Sequence, residues 1–382
     1  MAGENPPGPE TSDARIVITH DFMATYGGAE RVTQEMAVAF PNAEVVAILG
    51  RESIARRMNL EGRWRSLLPA RELLLERYRL LTPAFPALLG SVRLPAAEGV
   101  LSSSYAFAHH LRTSDAAPQA CYCHSPLRFA WSMRDSYRGQ WTRSRFSAHA
   151  FDMLGDAMRR SDRRAAGRVA RYLTQSPFTA EQIRRFYGRE AQVIGAPIDC
   201  ELFRPSGAPP EDYFLVAGRL IEPYKQVSIV LAAFRNLGAR LLVAGEGPAA
   251  AELRAVAPAN VEFLGSVEDR ELVELMQRCR AAIFPSRDDF GLTPLEVMSC
   301  GRPVLAYGGG GALHTMRPGV TGELFDRQTA EAVEEAMRAF DPEAYDPAAI
   351  RAHALRWDKR PFRRRLVAAM RDTLGAREAR TG

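Results

Sequence analysis

The chain has 382 residues, 46% of them hydrophobic and 25% charged, a balance that suits a soluble globular protein too long for one ordinary core. No uninterrupted apolar run reaches the roughly 18 residues of a membrane span, and the N-terminus lacks the charged-then-apolar pattern of a secretory signal. Five cysteines without such a signal indicate reduced thiols and a cytoplasmic protein, and a net charge of +5, almost all arginine because Lys225 and Lys359 are the only lysines, selects no partner by itself.

In chain order, residues 1–14 read as a disordered leader. Short apolar runs follow at 15–20, 43–49, 98–104, 119–124, 171–176 and 191–197. Helical patterns separate them, such as 28–40 and 148–170. Short strands alternating with helices predict parallel βαβ units. The stretch 198–212 is rich in proline and acids and reads as an interdomain linker. The rhythm then restarts, with runs at 213–219, 239–247, 261–266, 281–286, 302–309 and 321–325. Helices are expected between them at 226–237, 268–279 and 292–300, and two more close the chain near 348–357 and 360–374. The class is therefore α/β, with two doubly wound parallel sheets facing a cleft. Ligands of such sheets bind at the carboxyl ends of strands.

Each motif falls at such a strand end. After the run 281–286 comes RDDFGLTPLEVMSCG, a loop and then a helix with Pro294 in its first turn. The free N–H groups of that helix start suit a phosphate. Asp288 in the loop and Glu296 in the early helix can hold vicinal hydroxyls, since carboxylate oxygens accept several hydrogen bonds. A loop acid and a helix-start acid are the plainer alternatives. In GRLIEPYK, Arg219 closes a strand and Lys225 enters a helix, so both can face a pyrophosphate. Solvated surface charge is the alternative, weakened for Lys225 by the scarcity of lysine. Gly27 and Gly28 precede a helix, where glycine admits a phosphate to the backbone or merely makes a tight turn. His124 ends the run CYCH and can hydrogen-bond a hydroxyl or the transferring group. Strand alternation separates it from Cys121 and Cys123, which favours buried thiols over a metal site. Neither a GxGxxG fingerprint nor a P-loop is present. No Asp-x-Asp occurs either, which disfavours a metal-clamped diphosphate.

GRLIEPYK, GEGP, VEFLGSV and DDFGLTPLEVMSCGRPVLAYGGGG, in that order and spacing, resemble the retaining glycosyltransferases of family four, which have the GT-B fold. HDFMATYGGAERV, CYCHSPLRFAW and SPFTAEQIRRFYGREAQVIGAPIDCELFRP extend the likeness over roughly residues 15 to 375. They resemble the mannosyltransferase-like subgroup that builds bacterial O-antigen and exopolysaccharide. The resemblance implies two Rossmann-like domains: an acceptor domain over 15–197 and a nucleotide-sugar donor domain over 198–358. The last helix, 359–382, would pack back on the first. Arg219 and Lys225 would bind the donor diphosphate, Glu296 the ribose and Asp288 the sugar hydroxyls. Phe290, Gly291 and Leu292 would complete the donor-binding set, Gly28 would touch the phosphate from the opposite domain, and His124 would sit near sugar and acceptor. The implied donor is a nucleotide-diphosphate hexose, GDP-mannose favoured, used without a metal or other cofactor. Two positions depart from the pattern: Asp288 and His314 stand where glutamate is usual.

The implied reaction is hexosyl transfer with retention to a glycan, glycolipid or other hydroxyl acceptor. A nucleotide-sugar epimerase, an inverting transferase and a non-catalytic nucleotide-sugar-binding protein are the rivals. A nucleic-acid partner is not expected, because no interleaved basic-aromatic motif occurs. The arginine- and leucine-rich stretch 63–94 has two readings. It is a helix pair burying leucine against the sheet, or a surface for anionic lipid that places a cytoplasmic enzyme on the inner membrane face.

Overall fold

The first sheet of the computed structural model, which describes residues 8–69, 82–141 and 144–381, has seven parallel strands. They are β1 (Ile16–Met23), β2 (Glu44–Gly50), β3 (Trp64–Ser66), β4 (Gly99–Ser104), β5 (Gln119–Cys123), β6 (Arg171–Thr174) and β7 (Ala191–Val193). β1 is buried at every position, which is what a parallel strand covered on both faces requires. The spatial order is β3-β2-β1-β4-β5-β6-β7. β1 pairs with both β2 and β4, so the winding reverses between β1 and β4. Val17, Val46 and Ile48 from these strands share a core with Phe85, Phe107 and Leu111. Each such buried side chain contributes about 1.5–3 kcal/mol relative to exposure.

The second sheet has β8 (Phe214–Ala217), β9 (Leu241–Ala244), β10 (Val261–Gly265), β11 (Ala281–Phe284), β12 (Val304–Tyr307) and β13 (Gly322–Phe325). Its order, β10-β9-β8-β11-β12-β13, reverses between β8 and β11. The helix Val227–Phe234 shows how these elements dock. Val227, Val230, Leu231 and Phe234 fall on one stripe and are all buried against the sheet. The α/β class with two doubly wound sheets is as expected from the sequence.

The chain divides into two compact units, one spanning Ile198–Lys359 and the other holding the chain up to Pro197 and from Arg360 onward. Within the latter, the last helix, Lys359–Thr381, brings Phe362 edge-on to Tyr122 at 5.8 Å and Arg363 to Glu35 at 2.7 Å.

Three details differ from the sequence reading. The stretch 198–212 is not a free linker. Asp199 pairs with Lys359 at 3.0 Å, Arg351 donates to the carbonyls of Cys200 and Phe203, and Arg302 donates to that of Ala208. Of the supposed leader, residues 1–7 lie outside the described residues, while Ser12 N–H donates to the Ala39 carbonyl at 2.8 Å and Arg363 reaches Glu10. Within 63–94, Trp64–Ser66 is an edge strand, not helix, because its register against β2 lets Arg65 pair with Glu44 at 2.7 Å. Residues 70–81 lie outside the described residues. Phe85–Ser91 is a helix burying Phe85 and Leu89.

Candidate active site

The carboxyl ends of β8 and β11 meet at the reversal of the second sheet, where doubly wound sheets hold ligands. Arg219 and Lys225 follow β8 and Ser286 and Asp288 follow β11. Lys225 Nζ donates to Asp288 Oδ2 at 2.5 Å, with the two side chains 22% and 17% exposed. Gly218, Arg219, Lys225, Phe284 and Ser286 line a pocket at this point. Arg219 is exposed, and the Ser286 hydroxyl is buried without a hydrogen-bond partner. Lys225 Nζ also lies 5.5 Å from the centre of the Phe284 ring, an apolar wall that strengthens local electrostatics. Two cations and a buried hydroxyl meet at one strand junction with a carboxylate beside them, a set of groups suited to an anion.

Helix starts near this point differ in what their N–H groups face. The helix Val227–Phe234 is already capped, because Glu222 Oε1 accepts from the N–H groups of Val227 at 2.6 Å and Ser228 at 3.3 Å. The helix Leu292–Ser299 starts from Gly291, at φ 92°, which has no side chain to cap it. Its first-turn donors are therefore the ones suited to a phosphate. Phe290 before it and Glu296 within it are both buried.

The glycine run has a steric cause. Gly311 N–H donates to the Asp288 carbonyl at 2.8 Å. A Cβ on Gly310 would lie 2.3 Å from that carbonyl oxygen, and one on Gly311 would lie 2.2 Å from Phe290 Cα. Glycine there lets the turn after β12 press on the loop that carries Asp288. Further along, His314 sits edge-on to Trp357 at 6.1 Å, and burial lowers its pKa.

In the first sheet, the ends of β1, β4 and β5 share a buried polar network. The Ser103 hydroxyl contacts His20 Nδ1 at 3.0 Å, His124 Nε2 at 2.9 Å and the Thr33 hydroxyl at 2.7 Å. His20 Nε2 faces Glu30 Oε1 at 3.4 Å. The other Glu30 oxygen accepts from Gly27 N–H at 2.9 Å, so the helix start at Gly28 already has a carboxylate beside it. Burial, with smaller contributions from His20 and Arg128, lowers the His124 pKa to about 3. A pKa held that low leaves His124 neutral near pH 7, with its Nε2 in contact with the Ser103 hydroxyl.

That shift has a consequence for stability. Between about pH 6.5 and 3 the unfolded chain protonates this imidazole while the folded chain refuses the proton, so stability falls as pH falls. The expected loss is about 2 kcal/mol at pH 5 relative to pH 8. His124→Gln removes the titrating group and is expected to flatten the slope of melting temperature between those pH values. An unchanged slope would show that His124 titrates normally.

Of the residues named from sequence, the structure gathers Arg219, Lys225 and Asp288 at one strand junction, with Gly291 and Leu292 at the adjoining helix start. In the other unit it places Gly28 at the start of the helix after β1 and His124 at the end of β5. Cys121 and Cys123 are buried thiols in the core, not joined in a disulfide and packed with Tyr172 and Ile183. Sequence reasoning missed Ser286, Glu222, Glu30 and Ser103, which lie among the quoted strand ends but carry no spacing signal of their own.

Residues 211–340 match the family model described as Glycosyl transferases group 1. The D-rhamnosyltransferase WbpZ of Pseudomonas aeruginosa is 31% identical over 189 residues, covering 44% of this chain and 49% of that protein. The D-inositol 3-phosphate glycosyltransferase of Mycobacterium tuberculosis is 28% identical over 197 residues, covering 44% and 41%. The chain thus spans about half the length of the curated relatives it matches. Among solved structures, Anabaena HepE in complex with UDP-glucose superposes with a TM-score of 0.70 at 16% identity, covering 94% of this chain and 99% of that one. Sucrose-phosphate synthase from Thermosynechococcus elongatus gives 0.62 at 18% identity, covering 96% and 100%. The fold, two parallel-sheet α/β domains, is that of GT-B glycosyltransferase structures.

Proposed function

We propose that this protein moves a hexosyl group from a nucleotide-diphosphate sugar to a hydroxyl of a glycan or lipid-linked acceptor, with retention at the anomeric carbon. The observation that carries the reading is the Lys225–Asp288 pair at the sheet reversal, beside Arg219 and the glycine-led start of the helix Leu292–Ser299. A diphosphate bears more negative charge than one carboxylate. It draws Lys225 from Asp288 and leaves that carboxylate to accept from sugar hydroxyls. Arg219, Lys225 and the helix N–H groups then stabilise the departing diphosphate, the main catalytic contribution in a same-face transfer through an oxocarbenium-like state. Glu296 is assigned to the donor ribose, with Phe290, Gly291 and Leu292 shaping the donor pocket. His124 is assigned to hydrogen bonding near the acceptor. Gly28 is the weakest assignment, because a phosphate there would meet Glu30.

GDP-mannose is the favoured donor. The likeness to a protein named as a D-rhamnosyltransferase supports a hexose-type sugar and adds D-rhamnose to the candidate sugars. A thermal-shift screen against GDP-, UDP-, dTDP- and ADP-sugars tests the reading, followed by NMR of the product anomer. A ligand at 100 times its dissociation constant stabilises by about 2.7 kcal/mol. If no nucleotide sugar raises the melting temperature, the assignment fails. The cationic side chains replace a metal clamp in this reading, so added Mg²⁺, Mn²⁺ or EDTA in the assay is expected to leave turnover unchanged. A strict need for Mg²⁺ or Mn²⁺ would refute that part.

Among the described residues, no helix is long and apolar enough to cross a membrane. Peripheral docking on anionic lipid belongs to the same proposal, through the lipid-linked acceptor. It draws little support from Arg63 and Arg65, which are held by the Pro41 carbonyl and by Glu44, and Arg71 lies outside the described residues. Failure to co-sediment with anionic liposomes at low salt would point to a soluble acceptor.

A further inference from the structure

Beyond β4 the chain turns through Ala108–His110 and presents two adjacent imidazoles to the long helix Arg145–Ala166. Asp162, near the end of that helix, is fully buried, and His109 and His110 are only 4% and 3% exposed. His109 Nε2 lies 3.0 Å and His110 Nε2 lies 3.5 Å from the same oxygen, Asp162 Oδ1. The ligand atoms of all three residues fall within 4.8 Å of one another. None of His109 Nε2, His110 Nε2 and Asp162 Oδ1 has a hydrogen-bond partner of acceptable geometry. The atoms behind them are engaged. Asp162 Oδ2 accepts from Trp131 Nε1 at 2.7 Å and from the Tyr187 hydroxyl at 2.9 Å. His109 Nδ1 meets the Ser104 hydroxyl at 2.9 Å.

We propose that His109, His110 and Asp162 form a binding site for a divalent cation of the zinc class, which ties the Ala108–His110 turn to the helix Arg145–Ala166. Two imidazole nitrogens and one carboxylate oxygen form a donor set that suits Zn²⁺ and its neighbours, whereas Mg²⁺ and Ca²⁺ take oxygen ligands. Bonds of about 2.0–2.1 Å in tetrahedral geometry put ligand atoms about 3.3 Å apart. The observed 3.0 and 3.5 Å lie on either side of that value. The supporting shell fits as well. With Nδ1–H of His109 donating to Ser104, Nε2 presents a bare lone pair, and the two donors on Oδ2 leave Oδ1 to the cation. A proton on one imidazole would satisfy one nitrogen–oxygen pair and leave the other nitrogen unanswered, whereas a cation answers all three atoms. A water completes the fourth position, as in other three-ligand zinc sites. The site belongs to the N-terminal unit and takes no part in the transfer proposed above, so it does not depend on that reading.

The test uses the full chain made without a polyhistidine tag in zinc-supplemented cells. Metal analysis by plasma mass spectrometry is expected to find about one zinc per chain, and next to none in His110→Gln or Asp162→Asn. Stripping wild-type protein with 1,10-phenanthroline is expected to lower its melting temperature, with recovery on adding Zn²⁺ but not Mg²⁺. The melting temperature of His110→Gln is expected not to respond to Zn²⁺. Should Asp162→Asn fail to fold, His110→Gln and the stripped wild type decide the matter. Metal-free wild type whose melting temperature ignores Zn²⁺ would overturn the site in favour of a protonated imidazole on Asp162. Full zinc retention by His110→Gln would overturn it too. Neither readout involves a sugar donor, so failure here is distinguishable from failure of the transferase reading.

Discussion

Lys225→Ala and Arg219→Ala are each expected to lower turnover at saturating donor by about 10²–10³, the cost of deleting one preorganised charge-stabilising donor. Both side chains line the pocket at the β8–β11 junction, where charge develops on the leaving diphosphate in the proposed reaction. The two variants differ in their side effects. Arg219 is exposed, so its loss is expected to leave stability near that of the parent. Lys225 holds Asp288 at 2.5 Å in a largely buried pair, and its removal leaves that carboxylate without its cation. Lys225→Ala is therefore expected to be somewhat destabilised, and the Lys225→Ala/Asp288→Asn double variant to regain stability without regaining turnover. Because Asp288 is itself assigned to the sugar hydroxyls, the double variant reads only the stability cost of the uncompensated carboxylate. Near-wild-type turnover in either single variant would end the diphosphate assignment. Recovery of turnover in the double variant would overturn both the assignment of Lys225 to the diphosphate and that of Asp288 to the sugar.

The sequence showed the strand rhythm because parallel strands covered on both faces must be apolar throughout. IVITH and AAIF stand out against their surroundings for that reason. It singled out Arg219, Lys225 and Asp288, which the fold brings to one strand junction, because doubly wound sheets bind ligands at strand ends and because lysine is scarce in this chain. It did not show β3. Three residues at a sheet edge, with Arg65 facing Glu44, have the composition of an exposed loop or helix. The capping of Val227–Phe234 by Glu222 was equally hidden, since one acid five residues before a helix is not a distinct pattern. Nor was the cause of the glycine run legible. Gly310 and Gly311 are dictated by a loop some twenty positions earlier that comes into contact only in the folded sheet. His109, His110 and Asp162 lie some fifty residues apart and meet only through the packing of the helix Arg145–Ala166.

Asp21 is the residue whose loss is expected to damage the fold most. It sits inside β1 within the quoted HDF, fully buried, and its carboxylate receives four backbone N–H groups from the chain after β4. Oδ2 accepts from Tyr105 at 2.6 Å and Ala106 at 2.8 Å, and Oδ1 accepts from Phe107 and Ala108, both at 2.6 Å. One side chain thereby caps the turn that carries His109 and His110. Asp21→Ala leaves four donors facing apolar surroundings. Each buried, unsatisfied donor costs about 1–3 kcal/mol, and although the costs do not add in full, a loss of about 4 kcal/mol or more follows. Asp21→Asn keeps the shape and one acceptor oxygen, but its NH₂ confronts two N–H groups, so it is expected to recover only part of that loss. Asp346→Ala is the contrasting control, because Asp346 caps the exposed start of the helix Pro347–Ala354 through Ala348 and Ala349. That loss is expected to cost about 1 kcal/mol. Urea midpoints of the three variants check the ranking. An Asp21→Ala midpoint no lower than that of Asp346→Ala would mean that the turn after β4 finds other acceptors and that Asp21 does not hold it.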